Sequence, residues 1–339
     1  MRKLNILILI ALLIPTFLLV NLKAAGGGTN EIKKSFTGIT SVRFKGMNSD
    51  CVIKKGSGGE VTVQAVYYVD NDIFKPKMSQ DGDSLVLRDG IGGSDKEKSL
   101  WTITVPSGIE LKAGSITGDF SIEGLDSECD VKTVSGSIDA RDCKGEVKLT
   151  STSGTLKAKN LSGEIDINGM SNNIEAEKLQ GEIDINTASG NIDVKDLDGE
   201  IKLKVASGNI TIKIAKGEFK VKAASGDIKA TGIILRDDGD FKVASGDVEV
   251  SLAETANYDL ELASATGDAV LDYKGNPIKG KFEFTALQGQ GKIVSPLPFD
   301  KEEQEDKWGK KYTVKSFKVN GDEPKVRIKT ATGKAVLKK

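Results

Sequence analysis

Carboxylates at fixed spacing are the first residues in this chain that could do chemistry. Glu146, Glu164, Glu182, Glu200 and Glu218 each follow a glycine and precede an apolar residue, and they recur every 18 residues. On neighbouring strands they would stand about 4.8 Å apart. Such a ladder repels itself unless cations intervene, and calcium, which takes oxygen ligands, would suit it. The Gly-Gly-x-Gly-x-Asp repeat of calcium-binding β-rolls is absent, however. Lys144, Lys148, Lys202, Lys216 and Lys220 lie close by, so solvated turn carboxylates are the expectation, with no metal and no cofactor. Asp166 and Asp184 join Glu164 and Glu182 in the densest acidic patch, and paired carboxylates are the equipment of a glycoside hydrolase. Both aspartates are outward beats of Gly-Glu-Ile-Asp-Ile strands, and aromatic residues that could form a sugar platform are only 5% of the chain. A carbohydrate-active β-helix enzyme is therefore the alternative, and a non-enzymatic protein the leading reading.

Composition narrows the classes further. Histidine is absent, which removes the commonest general base and metal ligand. Lys plus Arg number 48 against 49 Asp plus Glu, with no long run of one sign, which argues against a nucleic-acid partner held through phosphates. The three cysteines, Cys51, Cys129 and Cys143, show no CxxC spacing. Their phase puts them inside as small hydrophobes, with a Cys129–Cys143 disulfide as the alternative.

A repeat positions all these groups. The phrase Ser, Gly, small polar, aliphatic returns at Ser135, Ser153, Ser189, Ser207 and Ser225, with Ser171-Asn172-Asn173-Ile174 completing the series at steps of 18. Periodicity on this scale marks a solenoid. In the coil from Ser189, the apolar beats are Ile192, Val194, Leu197, Ile201 and Leu203, closing on Ala206, while Asp193, Lys195, Lys202 and Lys204 fall between them. Alternation of this kind puts one face of each strand inside and the other in water. The prediction is an all-β, single-stranded parallel β-helix, a β-solenoid with coils of about 18 residues and two strands per coil, wound right-handed. The glycines serve the turns, where positive φ or close backbone approach is needed. Asn172, Asn173, Asn191 and Asn209 suit turns and stacked amide ladders.

Four segments follow. Residues 1–25 combine Arg2 and Lys3 with an apolar run from Leu4 to Leu22 and small Ala24 and Ala25, a signal peptide or an uncleaved N-terminal anchor. Residues 31–116 alternate without strict repeat length and are expected to form irregular first coils, with Asp70 to Pro76 and Gly90 to Lys98 as looser loops. Residues 117–274 hold the regular solenoid, although the period slips to 20 at Ser245 and 21 at Thr266. Residues 275–339 contain a long exposed loop or hairpin arm and closing strands. Within the charged run Asp300 to Lys311, Lys307, Trp308, Lys310 and Lys311 are the candidate partner-binding residues.

The Ser-Gly phrases, the strand Trp-Thr-Ile-Thr-Val-Pro at 101–106, the opening Ser-Phe-Thr-Gly-Ile-Thr-Ser-Val-Arg-Phe at 35–44 and the closing strand at 325–337 resemble the bacterial DUF4097 family of adhesin-like proteins. The head-GIN adhesins are similar. What the resemblance implies is an exported, non-enzymatic β-helix with no catalytic residues to carry over. The expected protein is periplasmic, cell-surface or secreted, a binding or structural module with an envelope or surface partner, protein or glycan. It touches membrane only through the N-terminal segment if that is uncleaved. In that case a membrane-anchored envelope signalling ectodomain is the further alternative.

Overall fold

The computed structural model describes residues 29–68, 75–89, 98–307 and 309–339, and every helix-or-strand element among them is a β-strand. Segment 1–25, most of the loops Asp70 to Pro76 and Gly90 to Lys98, and Trp308 lie outside the described residues. Successive coils pair in parallel. Ile174 lies beside Ile192, then Ile210, then Ile228, while Ile185, Leu203 and Val221 align on the other long side. Pairing continues around the bend through Leu179, Leu197 and Ala215, which gives each coil a short third side. The chain is thus the β-solenoid its period predicted.

Alternation decides what is inside. Ile192, Leu197, Ile201 and Leu203 are at most 2% exposed. Ala206 differs from expectation: Val205 is the buried beat and Ala206 is exposed. The inward series runs 201, 203, 205, so residue 206 falls on the outward parity just as the strand reaches its corner. The extra residues of the longer coils are absorbed in bulges, as where Gly217 pairs Leu235 but Phe219 pairs Gly239.

The Ser-Gly corner explains its own composition. A Cβ on Gly208 would lie 2.1 Å from the carbonyl oxygen of Gly190, so coils can stack there only if the corner is bare. The residue after each glycine then ties one coil to the next. Asn173 Oδ1 accepts from the Asn191 N–H at 2.9 Å, Asn191 Oδ1 from Asn209 at 3.0 Å, and Asn209 Oδ1 from Asp227 at 2.8 Å. Asp227, Asp247 and Asp268 continue the series to Lys334. A ladder therefore exists through Asn173, Asn191 and Asn209, but it joins side chain to backbone and not amide to amide, and Asn172 instead donates to the Gly154 carbonyl and accepts from the Met170 N–H.

The ends of the stack are not built in chain order. Strands Ser41–Lys45 and Ser49–Lys55 lie between Ser84–Arg88 and Ser99–Val105 on one side and Glu110–Thr117 and Phe120–Glu123 on the other. At the opposite end, Lys325–Lys338 lies between Leu260–Thr266 with Ala269–Asp272 and the outer pair Gly280–Leu287 and Gly291–Val294. Each of these coils is clamped on both faces by chain that is distant in sequence. Beyond them antiparallel strands cover the stack: Lys77–Asp81 and Val61–Tyr68 with Thr29–Phe36 at one end, Lys310–Val319 with Lys301–Lys307 at the other. Open sheet edges are thereby reduced to short or highly charged strands. Aromatic side chains fill both caps, with Phe44 5.3 Å from Trp101 and Phe282 4.9 Å from Phe317 between ring centroids.

Cys51, Cys129 and Cys143 are free and buried, as the small-hydrophobe reading has it, and the alternative Cys129–Cys143 disulfide is not formed. Burial pushes the Cys143 thiol above its ordinary range, although it donates to the Arg141 carbonyl at 3.1 Å.

A buried hydroxyl in the carboxyl-terminal cap is orphaned among the described residues. Tyr273 is fully buried, its hydroxyl has no hydrogen-bond partner among the described residues, and burial holds its ionisation above the ordinary range. An unsatisfied buried hydroxyl costs about 1–3 kcal/mol. Tyr273→Phe is accordingly expected to raise stability by about 1 kcal/mol, read as a higher urea midpoint at unchanged slope. A lower midpoint would mean that the hydroxyl has a partner.

Candidate functional site

The outward face of the longer sheet carries its polar residues in columns. In the first two, glutamates meet lysines: Lys202 Nζ lies 2.8 Å from Glu200 and 3.2 Å from Glu182, and Lys220 lies 2.6 Å from Glu218. The hydrogen bond from Lys202 holds the Glu200 carboxyl below its ordinary range. The lysine ammonium groups offset the ladder's repulsion at these coils. Asp166 and Asp184 each accept an amide N–H from the asparagine two residues on, Asn168 and Asn186, at 2.6 Å. The two aspartates share one sheet face, whereas a glycosidase sets its carboxyls on either side of a bond.

The third column is different. Lys204 lies beside Lys222, which lies beside Lys242, and beyond Ala263 the column resumes at Lys329. Two residues further along each strand, at the corner, stand Ala206, Ala224, Ala244, Ala265 and Ala331. Lysine stems on one side and the bare alanine corner on the other bound a groove of about 950 Å³. The hairpin Lys301–Lys307 and Lys310–Val319 walls its far end, contributing Lys307 and Tyr312. Pairing of Tyr312 with Leu287, and a 2.9 Å hydrogen bond from the Gln288 N–H to the Lys311 carbonyl, hold the hairpin there.

Electrostatically the groove is one-signed. Lys204, Lys222, Lys242, Lys307 and Lys329 line it, and no carboxylate does among the described residues. The acids that pair these lysines sit behind the rim: Asp184 is 3.9 Å from Lys204, Asp240 2.8 Å from Lys242, Glu261 3.2 Å from Lys329 and Glu305 2.5 Å from Lys307. Pairs this exposed are worth about 0–1 kcal/mol, so an incoming anion can compete for the lysines. The hydroxyls of Thr187, Ser264 and Thr330 are already committed to backbone carbonyls of the neighbouring coil. Among the described residues no group of three or more His, Cys, Asp or Glu side chains is placed to hold a metal. What the arrangement offers is contact: an apolar floor and a cationic rim.

Of the residues singled out from sequence, Lys307 lines this groove, Lys310 and Lys311 are exposed at the hairpin tip, and Trp308 lies outside the described residues. The alanine floor was not anticipated. Its signal was nonetheless present: the position before each Ser or Thr of the phrase is Ile116, Val134, Thr152 and Met170 in earlier coils and alanine from Ala188 onward. Ile116, Val134 and Met170 are 50–58% exposed, so the same corner carries bulky side chains in one half of the stack and is a trough in the other.

The family comparison bears on this architecture as a whole. A family model described as Toastrack DUF4097 matches residues 39–292, well over half of the chain and most of the stack. The chain belongs to the DUF4097 family. Among solved structures, this Toastrack chain is similar to a "putative cell adhesion protein" from Clostridium sporogenes, at 10% identity over 92% of this chain and 99% of that one, with a TM-score of 0.19. It is also similar to a "putative adhesin" from Parabacteroides merdae, at 14% identity over 92% and 96% of the two chains, with a TM-score of 0.30. No curated protein matches it. Among the described residues no helix is long and apolar enough to cross a membrane.

Proposed function

We propose that this Toastrack protein is an exported, non-enzymatic binding module of the cell envelope, periplasmic or surface-displayed, and that the lysine-rimmed groove receives its partner. The observation that carries the reading is the groove itself, with five lysines, an alanine floor and no carboxylate, thiol or imidazole among its described lining residues. Specific pockets are mostly apolar with a few placed polar groups, which is this pattern. Export rests on Arg2, Lys3 and the apolar run to Leu22.

The test uses the full chain and the variant Ala224→Trp, which fills the groove from an exposed corner position. Fractionation should find the wild type outside the cytoplasm, and the purified protein should co-sediment with isolated envelopes. Ala224→Trp should lose most of that retention at an unchanged melting temperature. Undiminished retention would place the binding surface elsewhere. Turnover of a polysaccharide panel, abolished by Asp184→Asn, would replace the proposal with an enzyme.

A further inference from the structure

The groove runs along the stack axis, across the strands, so any extended ligand in it meets the protein once per coil. From the row of Lys204 to the row of Lys329 there are four steps, through Lys222, Lys242 and Ala263. At about 4.8 Å per step this is a track of about 19 Å with a repeat imposed by the sheet. A ligand whose own repeat is commensurate with that spacing can make the same contact at successive positions. One whose repeat is not must drift out of register.

Chain conformations differ sharply on this criterion. A β-strand returns a side chain to the same face every two residues, about 6.7 Å, which matches neither one coil nor two. An α-helix rises about 5.4 Å per turn and would be about 2.4 Å out of step after four coils. Polyproline II has three residues per turn at about 3.1 Å each, so its turn is about 9.3 Å against about 9.6 Å for two coils, a drift of about 0.6 Å over the whole track. Its three faces also sort the chemistry. One column of side chains can point at the lysine rim while prolyl rings lie on the alanine floor and against Tyr312, the kind of apolar, aromatic contact that such helices use. The polyproline backbone makes no internal hydrogen bonds, and its carbonyls are open to the ammonium donors of Lys204, Lys222 and Lys242.

Charge sets the rest. At two coils per turn, acids on one face would meet Lys204, Lys242 and Lys329, while Lys222, which has no carboxylate within ion-pair distance among the described residues, can reach the backbone carbonyls between them. The complement is an acidic side chain about every third residue. Building on the groove's role as the binding site, we infer that its ligand is an acidic, proline-rich peptide segment bound in the polyproline II conformation along the solenoid axis. An anionic glycan would satisfy the rim but leave the alanine floor without an apolar partner, and Tyr312 is the one aromatic side chain among the described lining residues.

The experiment measures binding of fluorescent nine-residue peptides to the full chain: Glu-Pro-Pro repeats, Lys-Pro-Pro repeats and flexible Glu-Gly-Ser repeats, with polygalacturonate as the anionic glycan. The expected order has Glu-Pro-Pro at least about ten-fold tighter than Glu-Gly-Ser, because the stiff helix has less chain entropy to lose. Lys-Pro-Pro should not bind. Lys222→Glu should weaken Glu-Pro-Pro about ten-fold and Ala224→Trp should abolish it, both at unchanged melting temperature. Equal affinity for Glu-Gly-Ser would reduce the effect to charge alone and overturn the inference, as would binding of polygalacturonate without the peptide. If Ala224→Trp abolishes envelope retention while no peptide binds, this ligand is wrong and the binding function stands. If that variant changes neither, both fall.

Discussion

Gly217→Ala is expected to destabilise the solenoid by about 3–5 kcal/mol, among the larger losses a single methyl group can cause. The added Cβ would sit 1.7 Å from the Gly199 carbonyl oxygen, at a φ of +145 that L side chains rarely adopt. Relief requires the two coils to part, which breaks the backbone bonds on either side of the corner and propagates, since each coil is held only by its neighbours. Gly275→Ala is the control. Its φ of +82 also disfavours a side chain, but nothing lies within 4 Å of the added atom, so only the conformational cost of about 1–2 kcal/mol remains. Urea unfolding of both variants isolates the steric contribution, and equal losses would show that coil-to-coil approach is not what selects glycine here. Should Gly217→Ala yield no soluble protein while Gly275→Ala expresses normally, the same conclusion follows.

Ile192→Asp is expected to cost about 5 kcal/mol or to prevent folding. Ile192 is fully buried between Ile174 and Ile210, and neither of these neighbours offers a hydrogen-bond donor side chain to a carboxylate. Lys195→Asp, three residues on, should change stability by no more than about 0.5–1 kcal/mol, because the side chain is 50% exposed and its exchange touches only surface charge. Thermal unfolding of the pair checks the inward and outward columns directly. Similar melting temperatures would mean that the phase of the coil is wrong.

Both predictions rest on features legible before any coordinates. The recurrence of Ser-Gly at steps of 18 set the coil, the alternation Ile192, Val194, Ile201, Leu203 set its phase, and the small polar residue after each glycine marked the ladder now seen from Asn173 to Lys334. Ala206 was misplaced because periodicity alone cannot say at which residue a strand ends and its parity ceases to matter. The Glu column was legible in position and in its lysine partners, since both lie within a few residues of one another. The groove was half legible: Lys204 was on the outward face from the start, but nothing local distinguishes an alanine that floors a trough from one that fills a core.

What the sequence by itself determined about this protein is therefore everything that one coil and its copy decide: the all-β solenoid, the inward columns and the glycine corners. These are short-range, repeated constraints, and repetition makes them visible. Only the tertiary structure decided where the two ends of the chain enter the stack, because the register of Ser41 with Glu110 or of Leu260 with Val326 joins segments more than sixty residues apart and leaves no periodic trace. It also decided that the charged hairpin returns to wall off the alanine corner. A groove exists there because Tyr312 and Lys307 meet Ala265 and Ala331 across non-repeating chain, and surfaces made by such meetings are not written at any fixed spacing.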